Sequence, residues 1–305
     1  MTPKDLSTLR SSEIRLFLDS FDTVVCDCDG VIWNLLNPID GVKETLGALK
    51  KCGKKLHFVS NNCLLGTKGI FDALAQYHDE VKTSDIITPT RAIISYLKEA
   101  RFSKEIYILG TLSMKEDFQN AGFTLANTKH DESVDSIEAI QEFVDDDVKV
   151  GAVICDYDIY LSNIKLIRAT IFLRRPDVLF FAGATDRRIY AGNKVALPGP
   201  HFYQTALMEV TGRTPLVFGK PSQNLHNYIK KNFNIVNPSR VLLVGDSISS
   251  DIKFGILGGF QTLLVFSGVS KFTDMKNIKK ENETPNYYLN SFGDLSEILK
   301  CKLKM

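Results

Sequence analysis

Short apolar runs alternate with amphipathic helical stretches along this chain of 305 residues. The apolar runs predict strands over residues 23–27, 56–60, 106–109, 150–155, 179–183, 215–219, 241–245 and 262–266. Between them, helical patterns include residues 41–52, 90–100, 164–174, 201–211, 222–233 and 250–257. Because parallel strands need crossover connections, which place helices over the sheet, this alternation predicts an α/β fold with a parallel sheet covered on both faces.

The composition narrows the class of protein. Hydrophobic residues make up 44% and charged residues 24%, which is typical of a globular protein. The 37 basic and 36 acidic residues leave a net charge of +1, which gives no support for a nucleic-acid or membrane surface. We find no apolar run near the roughly 20 residues that span a bilayer, and no apolar core of a signal peptide at the N-terminus. Six cysteines without a CxxC pair favour reduced thiols in a cytoplasmic protein over a zinc site.

Two aspartates stand at the end of the first predicted strand. The apolar residues 23–26 lead into Asp27, Cys28, Asp29 and Gly30. Alternate residues of a strand point to the same side, so Asp27 and Asp29 start on one side, where two like charges need a cation, a shared proton or a reacting group. The spacing therefore predicts a metal-assisted carboxylate nucleophile. A simple turn is the alternative, because Asp and Gly are common turn residues.

Polar residues also follow three other predicted strands. Ser60, Asn61 and Asn62 follow one, Lys220 comes directly after Gly219 in another, and Asp246 follows a third. Each alone could be a helix cap, a turn residue or a surface lysine. In parallel sheets, however, binding sites lie at the carboxyl ends of the strands, so the four strand ends together predict one site for phosphoryl transfer.

The residue types suit the parts of such a reaction. Asp27 can attack phosphorus and bind Mg²⁺, and Asp246 can be a second carboxylate ligand. Lys220 can offset negative charge, while Ser60 and the amides around the two asparagines can hydrogen-bond phosphoryl oxygens. Asp29 can protonate the leaving oxygen and then act as the base towards water.

These motifs resemble those of the haloacid-dehalogenase superfamily. The similarity is greatest to the 4-nitrophenylphosphatase branch, which includes phosphoglycolate (glycerol-3-phosphate) phosphatase and pyridoxal phosphate phosphatase. The matching stretches are residues 27–33, 58–62, 107–110, 217–222 and 244–252. The resemblance implies a Rossmann-like, doubly wound parallel-sheet core with a large inserted α/β cap domain.

Motif spacing indicates where the cap is inserted. About 30 residues separate Asp27 from Ser60, whereas about 160 separate Ser60 from Lys220, which is room for a domain. We therefore expect a discontinuous phosphatase core over residues 1–87 and 203–305 and a cap over residues 88–202. In the family this cap closes over the phosphate site, selects the substrate and often makes the dimer contact, so a homodimer through the cap is expected.

The resemblance also implies a role for each motif residue. Asp27 would be the nucleophile and Asp29 the general acid/base. The Asp27 carboxylate, the Asp29 backbone carbonyl and Asp246 would hold Mg²⁺, with Asp251 in a supporting position. The phosphoryl group would be bound by Ser60, Asn61, Asn62 and Lys220. Because dehalogenase members lack the second acid, Asp29 favours a phosphatase.

Several positions depart from the pattern of the branch. Cys63 replaces a usual serine, and Ser249 replaces a carboxylate near the metal, which predicts weaker Mg²⁺ affinity. The specificity loop of the cap, residues 156–160, begins with Asp156 where relatives usually have glycine. The next loop, residues 183–188, is shorter than the family pattern, which leaves Asp186 without an assigned role.

The expected substrate is a small phosphorylated metabolite, with neither nucleic acid nor membrane as a partner. Arg187 or Arg188 could attract an acid such as phosphoglycolate, or be ordinary surface residues. A pyridoxal phosphate phosphatase is an alternative, weakened because no histidine lies between His130 and His201. Other readings are a phosphotyrosine phosphatase, a haloacid or phosphonate hydrolase, and a pseudo-phosphatase that binds a phosphorylated partner. A redox role for Cys28 stays open.

Overall fold

The computed structural model describes residues 2–35, 37–126, 148–191 and 195–303. These residues form two compact units. The first comprises the described residues within Met1–Ser60, Thr67–Ile87 and Lys220–Met305, and the second those within Asn61–Gly66 and Thr88–Gly219. The predicted limits, a core over 1–87 with 203–305 and a cap over 88–202, stay a prediction of how the chain divides.

The first unit contains a seven-stranded sheet in which every pair of neighbouring strands is parallel. Its strands in chain order are β1 (Lys4–Asp5), β2 (Thr23–Asp27), β5 (Lys55–Val59), β6 (Ile86–Ile87), β13 (Val241–Gly245), β14 (Gln261–Val265) and β15 (Tyr287–Leu289). Across the sheet they follow the order β1-β15-β14-β13-β2-β5-β6. A small antiparallel hairpin of β3 (Trp33–Asn34) and β4 (Asn37–Pro38) follows β2.

Helices connect these strands. They are α1 (Ser11–Asp19), α2 (Val42–Lys51), α3 (Gly66–Leu74), α8 (Gln223–Asn232), α9 (Lys253–Leu257), α10 (Phe272–Lys276) and α11 (Asp294–Leu303). Short 3₁₀ turns cover Leu6–Thr8, Thr83–Asp85, Pro238–Arg240 and Glu281–Glu283, and a π-helical turn covers Ile248–Ile252. Among the described residues, no helix is long and apolar enough to cross a membrane.

The second unit has its own parallel sheet, in the order β12-β9-β8-β7. Its strands are β7 (Glu105–Leu109), β8 (Val150–Cys155), β9 (Leu179–Ala182) and β12 (Leu216–Val217), and β10 (Arg188–Ala191) pairs antiparallel with β11 (Val195–Pro198). The helices are α4 (Pro89–Glu99), α5 (Leu112–Asn120), α6 (Asn163–Leu173) and α7 (His201–Thr211). Buried side chains such as Val153, Phe172 and Leu207 form its core.

Hydroxyl side chains fix where several helices begin. Thr88, Thr111, Ser162 and Ser222 each precede a helix and accept a hydrogen bond from the backbone N–H three residues later. This contact satisfies one of the N–H groups that a helix start leaves without an internal partner. These four hydroxyl residues therefore help to set where the helices begin.

The predicted fold class is confirmed, since both units are built on parallel sheets with connecting helices. The predicted strands 23–27, 150–155 and 241–245 coincide with β2, β8 and β13. The strand predicted over 215–219 is shorter, because only Leu216–Val217 pairs with β9. The helix predicted over 250–257 starts as the π-helical turn, from Ile248.

A buried histidine packs against helix α9 in the first unit. His226 of α8 stacks on Phe254 with ring centroids 3.9 Å apart, and its Nε2 donates to the Phe254 carbonyl at 2.6 Å. A Cβ at Gly258 would lie 1.9 Å from the ring, so the backbone is packed directly against it. Burial lowers the pKa of His226 to about 4, which keeps the imidazole neutral.

This histidine predicts a loss of stability in mild acid. As the pH falls from 6.5 towards about 4, the unfolded chain takes up the His226 proton before the folded protein does. The free energy of unfolding should therefore fall by about 3 kcal/mol from this residue alone. His226→Gln keeps a donor for the Phe254 carbonyl but does not titrate, so urea unfolding should show a weaker pH dependence. An unchanged pH dependence would contradict the assignment.

Candidate active site

Three neighbouring strands of the first sheet end at the same edge. β2 ends at Asp27, and its neighbours β5 and β13 end at Val59 and Gly245. Ser60 and Asp246 are the next residues after these neighbours. The parallel register therefore brings polar residues from three of the four predicted strand ends to one edge of this sheet. The fourth strand end is wrongly predicted to belong to this sheet, because β12, which precedes Lys220, pairs in the second sheet.

Lys220 links two carboxylates at this edge. Its Nζ lies 2.7 Å from Asp27 Oδ1 and 2.6 Å from Asp251 Oδ1, and the side chain is almost wholly buried. Burial by itself lowers the pKa of Lys220, but Asp251 and Asp27 outweigh burial and raise that pKa above its usual range. The lysine is therefore held as a cation.

A third carboxylate completes a cluster. Oxygens of Asp27, Asp246 and Asp251 all lie within 4.8 Å of one another, and all three residues are buried. Asp246 Oδ2 accepts a hydrogen bond from Val269 N at 2.6 Å, and Asp251 Oδ2 accepts one from Ser247 N at 3.0 Å. Mg²⁺ prefers oxygen ligands such as carboxylates. Three carboxylate groups this close together could therefore hold a metal ion.

The cluster carries more negative charge than Lys220 can balance. Burial and then the neighbouring Asp251 raise the pKa of Asp246 to about 7. The same two causes raise the pKa of Asp27 well above its usual range, although Lys220 opposes them. A divalent cation would offset the repulsion between these carboxylates, lower both pKa values and keep both groups ionised.

Glycines allow the backbone to approach these carboxylates closely. Gly30 has a φ of 80°, and a Cβ there would lie 2.3 Å from Asp246 Oδ2. A Cβ at Gly268 would lie 1.8 Å from the same oxygen, and one at Gly245 would lie 2.2 Å from Asp251 Cβ. A side chain at any of the three would collide with the cluster.

Asp29 is oriented by the first turn after β2. Trp33 Nε1 donates to Asp29 Oδ1 at 3.1 Å, and Gly30 N donates to the Trp33 carbonyl at 2.7 Å. The turn is closed further because the Cys28 carbonyl accepts from Ile32 N at 2.8 Å. The indole thus holds the carboxyl group that the sequence predicts to be the acid/base. Sequence reasoning gave no role to Trp33, although it is the one tryptophan of the chain.

The other predicted ligands divide between the two units. Ser60 is buried and its backbone N donates to the Ile87 carbonyl at 3.0 Å in the first unit. Asn61 and Asn62 belong to the second unit, where Asn61 Nδ2 donates to Asp186 Oδ2 at 3.1 Å. The first unit therefore brings together Asp27, Asp246, Asp251 and Lys220, and the roles of the two asparagines stay predictions.

Two further residues, Ser249 and Cys28, lie within two positions of cluster residues in the sequence. Ser249 is exposed, and its Oγ lies 3.4 Å from Ser247 Oγ. Burial and then Asp27 raise the pKa of Cys28 well above its usual range. A protonated, buried thiol does not fit a redox sensor, which needs an accessible thiolate.

Comparisons with known proteins agree with this geometry. Residues 24–124 match the model of the haloacid dehalogenase-like hydrolases, and residues 217–295 match a second model of that superfamily. Phosphoglycolate phosphatase 1A, chloroplastic, of Arabidopsis thaliana is 32% identical over 298 residues, covering 96% of this chain and 82% of the relative. The 4-nitrophenylphosphatase of Schizosaccharomyces pombe is 30% identical over 294 residues, covering 93% and 96%.

The chain belongs to the haloacid dehalogenase-like hydrolases. The fold agrees, since a 4-nitrophenylphosphatase structure from Thermotoga maritima matches with a TM-score of 0.77 at 23% identity, covering 92% of this chain and 98% of that one. Membership in the 4-nitrophenylphosphatase and phosphoglycolate phosphatase branch is confirmed, and with it the predicted enzyme class, a phosphoric monoester hydrolase.

Replacing Lys220 tests the charge balance of the hydrolase. Lys220→Met would leave Asp27 and Asp251 buried without their cation, so the free energy of unfolding in a metal chelator should fall by about 3 kcal/mol or more. Lys43→Met, which removes an exposed lysine, is the matched control. Equal urea midpoints for the two variants would show that the ion network does not stabilise the fold.

Proposed function

We propose that this hydrolase cleaves small phosphate monoesters with Mg²⁺, through an aspartyl-phosphate on Asp27. The observation that carries the proposal is the contact of Lys220 with Asp27 and Asp251 beside Asp246. A nucleophilic carboxylate needs to stay ionised in a buried site, and this arrangement supplies one fixed cation and a place for another.

The residues present fit a magnesium ion. Its ligands would be the Asp27 carboxylate, the Asp29 backbone carbonyl and Asp246, and Asp251 would support them from within the same cluster. When bound, Mg²⁺ neutralises developing charge on the phosphoryl oxygens. Gly30 and Gly268 pack against Asp246 Oδ2, and neither adds a side chain that would displace this carboxylate.

The protein groups divide the chemistry between them. An Asp27 oxygen forms a bond to phosphorus as the bond from phosphorus to the ester oxygen breaks, and Asp29 gives its proton to that leaving oxygen. Asp29 then takes a proton from water, which attacks the aspartyl-phosphate at phosphorus and releases inorganic phosphate and free Asp27. Trp33 keeps the Asp29 carboxyl group oriented in both steps. The phosphoryl group would be bound by Lys220, Ser60, Asn61 and Asn62.

We infer a substrate like phosphoglycolate or glycerol 3-phosphate. The similarity to phosphoglycolate phosphatase 1A supports this class. Arg187 and Arg188 are exposed, so either cation is accessible to an acidic ester in solution. Pyridoxal phosphate is the alternative substrate. A homodimer through the cap and a cytoplasmic location stay predictions.

Hydrolysis of 4-nitrophenyl phosphate with and without Mg²⁺ tests the proposed function. Asp27→Asn should lower kcat by more than about a thousandfold, because the amide is a poor nucleophile. Asp19→Asn, a change at an exposed aspartate, should leave turnover unchanged. Mg²⁺-independent turnover, or turnover that survives in Asp27→Asn, would overturn the mechanism.

The same assay separates the candidate substrates. We expect kcat/KM to be higher for phosphoglycolate and glycerol 3-phosphate than for pyridoxal phosphate. The opposite ranking would favour the pyridoxal alternative. Well-folded wild-type protein without turnover on any of these esters would favour the pseudo-phosphatase.

A further inference from the structure

A buried carboxylate marks the carboxyl edge of the second sheet. Asp156 directly follows β8 and has no exposed surface. Its Oδ1 accepts from Tyr157 N at 2.7 Å and from Cys63 Sγ at 3.3 Å, and its Oδ2 accepts from Ala184 N at 3.1 Å. One side chain therefore joins three parts of the chain that are far apart in sequence.

Position 183 is built around this carboxylate. A Cβ at Gly183 would lie 1.7 Å from Asp156 Oδ2, which is far inside the closest approach of two non-bonded atoms. Asp156 and Gly183 therefore depend on each other: the carboxylate fills the space that a side chain at 183 would need. Gly183 N also donates to the Cys155 carbonyl at 3.2 Å, which ties the end of β9 to the end of β8.

Each of the two stretches that Asp156 joins carries a polar residue at one end. The 61–66 segment begins with Asn61, directly after Ser60, and the 183–186 loop ends with Asp186. Asn61 Nδ2 donates to Asp186 Oδ2 at 3.1 Å, so the two stretches meet a second time. Thr111 Oγ1 also donates to the Cys63 carbonyl at 2.8 Å, which fixes the segment from another side.

Cys63 serves as a hydrogen-bond donor here. Burial, and then the negative charge of Asp156, raise the pKa of the Cys63 thiol well above its usual range. The thiol therefore keeps its proton and can give it to the Asp156 carboxylate in a hydrogen bond. Burial also raises the pKa of Asp156 to about 6, while the bonds from Tyr157, Ala184 and Cys63 oppose that rise.

We propose that Asp156 is a positioning residue for substrate binding. Through Cys63 and Ala184 it holds the 61–66 segment against the 183–186 loop and so fixes Asn61, which we predict to bind the phosphoryl group. The inference rests on the proposed function. Asn61 binds an oxygen that is present before and during the reaction, so losing the anchor should weaken ester binding more than it slows the chemical step.

A matched pair of substitutions at Cys63 tests the anchor. Cys63→Ala removes the donor to Asp156, whereas Cys63→Ser keeps one of similar size. With 4-nitrophenyl phosphate and saturating Mg²⁺, KM should rise on the order of tenfold in Cys63→Ala with kcat little changed. Cys63→Ser should restore the wild-type KM. Equal KM values for all three proteins would overturn the proposal.

Hydrogen–deuterium exchange gives a readout that needs no turnover. Backbone amides of the 61–66 segment should exchange faster in Cys63→Ala and in Asp156→Gly than in the wild type and in Cys63→Ser. Unchanged exchange in both would overturn the anchoring role. Wild-type protein that hydrolyses no ester would overturn the proposed function, and exchange would still decide whether Asp156 anchors the segment.

A size swap tests the dependence between Asp156 and Gly183. Gly183→Ala should lower the thermal midpoint in the wild-type background, where its Cβ meets the Asp156 carboxylate. In the Asp156→Gly background the same change should cost far less, because the space is free. An equal loss in both backgrounds would show that the carboxylate is not what excludes a side chain at position 183.

Discussion

The ion network of Lys220 with Asp27 and Asp251 is the interaction on which the first unit depends. Taking these charges out of water costs free energy, and the two short contacts to one ammonium group offset much of it. With Asp246 in the same cluster, these four side chains carry more negative than positive charge when ionised. Burial and mutual repulsion favour protonation of Asp27 and Asp246, so a further cation bound here would help to keep both ionised.

Both sheets place their polar groups at the carboxyl ends of parallel strands, but for different purposes. In the first sheet, β2 and β13 deliver the carboxylates proposed for the chemistry. In the second sheet, Asp156 after β8 is fully buried and accepts three hydrogen bonds from protein groups. The same topology thus supports a reactive site in one unit and a structural anchor in the other.

Much of the fold and the charged cluster could be predicted from sequence, because β2 and β13 are largely apolar runs that lead into Asp27 and Asp246. The two-residue strands such as β1 could not, since they are too short to show a pattern. The bond from Trp33 to Asp29 depends on the shape of one turn. The bond from Asn61 to Asp186 joins residues 125 positions apart, so no local spacing could reveal it.

The most direct test of the account is chemical trapping of the intermediate. Asp29→Asn protein would be mixed with 4-nitrophenyl phosphate and Mg²⁺ and reduced with borohydride, which converts an aspartyl-phosphate to homoserine. Peptide mass spectrometry should find homoserine at position 27, because the variant lacks the base that activates water. Homoserine at another aspartate, or none at position 27 while wild-type protein turns over, would contradict Asp27 as the nucleophile.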